Sequence, residues 1–319
     1  MISARLIFTL CSLILVFTRS FAQEVLRPQN LVPQNTVWIE KGDLNVTFVN
    51  NMPVGPDHRA GYNGIYKLSH LAQDSTPFVP FYAGFNLEHI FGGDSLMELF
   101  EPRRHPMVLS QLSEDEVLLY QTPTPLSGLE SLTSFKLVAP HYIDITFRCV
   151  VNDIGFFKHG YAGLFWASYI NSPSNKKIYF MGHEKREPTR KWIEAYSQKH
   201  GVESTHVGMN DFIKIYFAPN FNARLASHFS NYRYALPFFF GRFHNMILAY
   251  LFESSEVIRF SQSPTGGGET NPAWDFQLII PHLKKGEEYT YRARLIYKPF
   301  ISEEDITSEY LSWSNGLHD

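Results

Sequence analysis

The chain has 319 residues, with 31 acidic against 28 basic residues and a formal net charge of −3. That balance excludes general nucleic-acid binding, which needs a basic face. Its two cysteines, Cys11 and Cys149, are too few for cysteine-rich zinc sites, and once Cys11 leaves with the leader no intrachain disulfide can form.

Residues 1–22 read as a secretory signal peptide. Arg5 opens it, residues 6–17 are nearly all apolar, and Ser20 and Ala22 supply the small residues of a cleavage site. The apolar run is short for a bilayer span, and no second long apolar segment follows. The expectation is a secreted or periplasmic protein with no integral membrane segment after leader removal. Residues 23–35 read as an extended arm, and residues 36–319 as a single β-sandwich domain.

Period two dominates the rest of the chain. Over residues 142–151, Ile143, Ile145, Phe147 and Cys149 alternate with Tyr142, Asp144, Thr146 and Arg148, the signature of a half-buried strand. Residues 289–298 alternate in the same way. Further strands are expected over 45–49, 78–82, 117–121, 132–137, 163–170, 177–181, 212–217, 246–252, 256–260 and 274–280. Two helices are expected. The first runs from Thr189 to His200 and stops at Gly201. The second runs from Ser302 to Trp313, with Ser302 as N-cap followed by Glu303, Glu304 and Asp305. Many short strands between turn residues indicate an all-β, large antiparallel sandwich with one or two short helices.

Candidate site residues lie in several polar segments. His58 to Gly64 is a glycine-containing loop in which Tyr62 and Asn63 can bond sugar hydroxyls, or an ordinary turn. In Phe85 to His89, either Glu88 or His89 can act as general base, since burial tunes both groups. Phe100 to Pro106 sets Glu101, Arg103, Arg104 and His105 between prolines. Paired arginines suit a carboxylate or sulfate because the planar fork binds it bidentately; the plainer reading is a solvated loop. Trp166 stands in an aromatic strand, as core or as a sugar platform. Arg259 to Phe276 carries Gly266, Gly267 and Gly268 ahead of Trp274 and Asp275. Three glycines allow close approach of a ligand, so this loop is a candidate site wall. No His-x-His or His-Glu-x-x-His pattern occurs, and no nucleophile elbow or P-loop. No metal or other cofactor is expected.

The segment Leu129 to Arg148 (LESLTSFKLVAPHYIDITFR), the strand of residues 163–170 and the closing strand of residues 289–300 resemble the β-supersandwich of galactose mutarotases and related carbohydrate-active domains. The resemblance implies two large antiparallel sheets packed face to face, with a concave face that binds a sugar. Mutarotases pair an acidic histidine with a basic glutamate; by position Glu253, Glu256 and Asp275 stand where a late carboxylate belongs.

The expected function is therefore carbohydrate binding or metal-independent acid–base processing: epimerisation, elimination or glycoside hydrolysis. His89 and His105 are the expected proton carriers, with Glu101 or Asp275 as partner carboxylate. Arg103, Arg104 and Arg259 would hold an anionic sugar, and Tyr62, Asn63, Trp166 and Trp274 would border the ring. A non-catalytic binding or scaffold module is the alternative.

Overall fold

The computed structural model describes residues 24–95 and 98–317. The expected leader, residues 1–22, lies outside the described residues. In chain order the elements are β1 Pro33–Gln34, β2 Thr36–Lys41, β3 Leu44–Val49, β4 Gly64–His70, β5 Asn86–Phe91, α1 Glu101–Arg104, β6 Met107–Gln111, β7 Glu116–Gln121, β8 Leu129–Val138, β9 Tyr142–Val151 and β10 Tyr161–Ala167. There follow β11 Ile178–Glu184, β12 Glu187–Ala195, β13 Thr205–Gly208, α2 Arg224–Ser227, β14 Phe229–Tyr234, β15 Phe238–Phe243, β16 Met246–Phe252, β17 Ile258–Gly268, β18 Asn271–Pro281, β19 Glu288–Pro299 and α3 Glu303–Asn315.

Among the described residues, β2, β3 and β4 form a three-stranded sheet and the other strands form a 16-stranded one. The large sheet runs β1-β6-β7-β8-β9-β19-β16-β15-β11-β14-β13-β17-β18-β10-β5, with β12 pairing only β11. Its ladders are antiparallel except for β13 with β14. The sheet folds over on itself. Phe147 of β9 meets Trp166 of β10 edge-on at 4.9 Å, and Phe252 of β16 meets Phe276 of β18 at 4.8 Å. The small sheet closes the same core, with Phe48 set 5.2 Å from Phe135. This is the all-β sandwich that the alternation predicts.

Strand β9 has the expected bounds and faces. Ile143, Ile145, Phe147 and Cys149 are buried, while Tyr142, Asp144, Thr146 and Arg148 stay half-exposed. On that outer face Arg294 of β19 pairs with Asp144 at 2.5 Å across the ladder. The expected C-terminal helix is also present as α3. The Ser302 side chain accepts the Asp305 amide, and Ile306, Tyr310 and Trp313 are buried against the outer side of β15, β16 and β19.

Where a helix is expected over residues 189–200, the chain continues as strand β12 to Ala195 and then turns. Trp192 and Ile193 look like neighbours on a helical stripe, but they serve opposite faces. Ile193 enters the main core, while Trp192 packs on Phe238 and Phe240 outside it. Adjacent residues on opposite sides are the mark of a strand. Residues 212–217 form no ladder either. Their alternation is real, because Ile213, Ile215 and Phe217 pack inward while Phe212, Lys214 and Tyr216 are exposed. This segment lies as a strap over the second face of the large sheet rather than within it. The expected strand over 78–82 reduces to two isolated bridges, Phe78 with Ile170 and Phe81 with His58.

The N-terminal arm is tied down. Val25 and Leu26 donate their amides to the Glu130 carboxylate at 2.9 and 2.8 Å, and Leu26 is buried beside Leu118 and Tyr120.

Candidate functional site

The residues around α1 build a cleft of about 480 Å³, lined by Asn51, Gly61, Phe100, Arg103, Arg104 and His105 among others. The single turn of α1 is held rigidly. Gln121 donates to the carbonyls of Pro102 and His105 at 2.7 and 2.9 Å, and Asn51 reaches the His105 carbonyl at 2.5 Å. Glu101, at the start of the turn, faces away from the cleft. Its buried carboxylate accepts the amides of Leu126 and Ser127 at 2.7 and 3.1 Å. It anchors the next loop and does not partner a histidine.

Arg103 turns inward and forms the floor. Its Nε donates to the Gly61 carbonyl at 3.1 Å, and its guanidinium lies 3.9 Å from the Tyr62 ring centroid and 4.7 Å from that of Phe100. Gly61 sits at φ +93°, where a side chain would strain the backbone that presents this carbonyl. Behind the guanidinium, Glu88 Oε2 stands 3.6 Å from Arg103 Nη1. Glu88 projects at a register shift between β5 and β10, where Phe165 pairs with His89 but Trp166 pairs with Leu87. The extra residue aims its carboxylate into this cluster.

The Glu88 carboxylate is fully engaged. His89 Nε2 is 3.0 Å from Oε1, while Tyr169 donates its hydroxyl and Asn86 its amide to Oε2. Burial by itself would raise the Glu88 pKa, but the charges of His89 and Arg103 with the Tyr169 bond hold it below the usual carboxylate range. The other nitrogen of His89 faces the Leu99 carbonyl, and its ring packs on Phe100 and Phe165. Tyr62 stacks on Tyr82 at 4.4 Å, and Tyr169 meets both edge-on.

A second histidine–carboxylate pair stands at the rim. His105 Nε2 lies 3.3 Å from Glu98 Oε2, and Arg104 Nη1 lies 3.6 Å from the other oxygen. The His105 side chain is 28% exposed and that of Arg104 62%. By contrast, Glu88 and His89 are buried behind Arg103.

Thus Arg103, Arg104 and His105 line one cleft, with Tyr62 and His89 packed behind Arg103, and the carboxylates that meet the two histidines are Glu88 and Glu98, not Glu101 or Asp275. Asp275 is fully buried on β18 and accepts the Ser168 amide at 3.0 Å. Burial and the nearby Glu88 charge push its pKa well above the usual carboxylate range. Arg259 does not face the cleft. It pairs with Asp211 at 2.7 Å and bonds the Ile213 carbonyl, fastening the strap. Asn63 is buried and locks onto Asn86 and Leu87. Neither tryptophan borders a ligand space: Trp166 stacks on Phe276 at 5.1 Å in the main core, and Trp274 has no exposed surface. The glycine run gives close packing, since a Cβ on Gly266 would lie 2.5 Å from that of Ala273.

Sequence reasoning passed over Glu98, Tyr82 and Tyr169. Their neighbours in the chain carry no motif, and only the alternation of Tyr169 with Ala167 and Phe165 hints at a shared face.

No family model matches the chain, and no curated protein matches it. Solved structures are similar in fold. One is described as "Putative aldose 1-epimerase" from Escherichia coli K12, with 10% identity, a TM-score of 0.49, and coverage of 83% of this chain and 99% of that one. Another is a mutant of the heparan sulfate lyase HepC from Pedobacter heparinus, with 10% identity, a TM-score of 0.42 and coverage of 86% of this chain. The match spans 38% of the lyase. No helix among the described residues is long and apolar enough to cross a membrane.

Proposed function

We propose that this chain is an exported carbohydrate-binding or carbohydrate-processing protein, with residues 36–319 as one domain, whose cleft takes an acidic sugar. The observation that carries this reading is Arg103. Its guanidinium forms the floor of the 480 Å³ cleft, stacked on Tyr62 and Phe100 and backed by Glu88. A planar, pre-oriented guanidinium suits a carboxylate or sulfate, and Arg104 adds a second positive group at the rim. His105 with Glu98 supplies an accessible proton donor and acceptor beside that anion site. Glu88 and His89 keep Arg103 in place. The chemistry this supports is acid–base work on the bound sugar: epimerisation, elimination or hydrolysis.

The test is a thermal-shift screen against neutral and acidic oligosaccharides, with product analysis of each hit. A ligand that binds only the folded state raises Tm by mass action. Acidic sugars are expected to raise Tm, and the rise is expected to vanish in an Arg103→Ala, Arg104→Ala double variant. A shift that survives in that variant would move the ligand elsewhere, and no shift from any acidic sugar would refute the reading.

A non-catalytic binding module is the second reading, favoured by a different surface. Phe212, 82% exposed, and Tyr216, 51% exposed, lie on the strap. Phe212 also lines a separate open groove of about 540 Å³ with His159, Lys214 and His282. Neutral sugars that bind without turnover, and lose binding in Phe212→Ala, are the outcome this reading expects.

A further inference from the structure

We infer that Asp43, His70 and His141 form a binding site for a divalent transition-metal ion of the zinc class, which staples the small sheet to the large one. The three residues come from separate places. Asp43 sits in the β2–β3 turn, His70 ends β4, and His141 stands in the β8–β9 turn. Their donor atoms all lie within 4.8 Å of one another.

The spacing is the main argument. Asp43 Oδ2 lies 3.5 Å from His70 Nε2 and 3.6 Å from His141 Nδ1. A hydrogen bond between such groups would be shorter, about 2.7–3.0 Å. Ligands at about 2.0–2.1 Å from a tetrahedral ion stand about 3.3–3.4 Å apart, close to both Asp43–histidine distances, while the two histidine nitrogens lie within 4.8 Å of each other. His70 is 7% exposed, and its Nε2 is buried without a hydrogen-bond partner. Two imidazoles with one carboxylate favour a zinc-like ion over magnesium or calcium, which prefer oxygen donors.

The far nitrogen of His141 faces Glu309 of α3 at 3.7 Å. That separation is too long for a hydrogen bond, and the nitrogen is buried without a partner, while Glu309 bonds Lys298 and Tyr142. Lys298, the nearby cation, is held by Asp305 at 2.9 Å and by Glu309, so its charge is balanced. One contact opposes binding. The Ala72 amide donates to His70 Nδ1 at 2.9 Å, and coordination through Nε2 puts a proton on Nδ1 that must displace it. None of the three donors lines the cleft of Arg103, so this inference stands apart from the carbohydrate reading.

The experiment is calorimetric titration of the chelator-treated full chain with Zn²⁺ alone, with Tm followed in parallel. One zinc per chain is expected, with Tm raised by about 5 °C when free zinc is a hundredfold above Kd. His141→Ala and Asp43→Asn are each expected to abolish that stoichiometric binding. The inference is overturned by wild-type protein that takes up no stoichiometric zinc. It is equally overturned by folded His141→Ala and Asp43→Asn proteins that bind as wild type does, or by Mg²⁺ binding as tightly as Zn²⁺.

Discussion

Buried ionisable residues govern how this protein responds to pH. His206 is fully buried, with Ser230 Oγ 2.6 Å from Nδ1 and the Gln262 amide donating to Nε2 at 2.9 Å. Burial, reinforced by Arg233, lowers its pKa to about 3. Because this folded value lies below the unfolded value near 6.5, the unfolded chain takes up the proton first. The stability His206 contributes is therefore full above pH 6.5 and is lost as pH falls toward 3. Urea unfolding at pH 7, 5 and 4 should show a steady fall that is reduced in His206→Gln. Asp275 acts in the opposite sense. Its raised pKa means that the folded state holds a proton the unfolded chain releases, so its presence costs stability as pH rises above the usual carboxylate range. Asp275→Asn keeps an acceptor for the Ser168 amide and removes that cost. The variant should be more stable than wild type at pH 7, with the gap closing near pH 3; a variant that is less stable at pH 7 would refute the protonated assignment. At the cleft, Arg103→Lys keeps the charge but loses the planar stack on Tyr62. Acidic-sugar affinity should fall by about tenfold or more, roughly the loss of one charge-assisted bond.

At the scale of elements, the strap of residues 212–217 is fastened by an ion pair at its start and, at its end, by the Tyr161 hydroxyl donating to the Tyr216 carbonyl and the Ala218 amide donating to the Gly93 carbonyl, each at 2.7 Å. Arg259 and Asp211 have side chains only 4% and 3% exposed. Asp211→Ala leaves the guanidinium buried and uncompensated, which should cost about 3–5 kcal/mol. Equilibrium unfolding measures the loss, and amide exchange should rise first in residues 212–217. This segment also marks where period two alone is ambiguous. Ile213, Ile215 and Phe217 need a surface to cover, and an alternating chain meets that need either in a ladder or lying across a sheet face. Strand β9 had a partner on each side and was read correctly. Residues 189–195 were misread because Trp192 and Ile193 are both apolar, and only the existence of two cores, one on each side of β12, separates them. Helix α3 was legible because its N-cap and first-turn acids act within a few residues.

Across the whole molecule, the core depends on close approach between distant strands. Trp274 of β18 lies over Gly241 of β15, where an added Cβ would come within 2.3 Å of the indole ring. Gly241→Ala should destabilise by about 1–3 kcal/mol through overpacking, and Trp274→Ala by about 3–5 kcal/mol through the cavity it leaves. Thermal or urea unfolding of the two variants checks both values. The same contact explains why a tryptophan that looks like a sugar platform in sequence is a core residue in the fold.

What the sequence by itself determined is what local chemistry controls: strand periodicity, the all-β class, the capped C-terminal helix and the position of the Pro–Arg–Arg–His–Pro turn. What only the tertiary structure decided is which carboxylate meets which histidine. Glu88, Arg103, Tyr62 and Tyr169 come from β5, α1, the loop before β4 and the segment after β10, and Asp43, His70 and His141 from three separate turns and strand ends. A hydrogen bond or coordination bond acts over about 2–4 Å, while these residues stand tens of positions apart in the chain. Only the packing of one sheet across another brings such groups within that range.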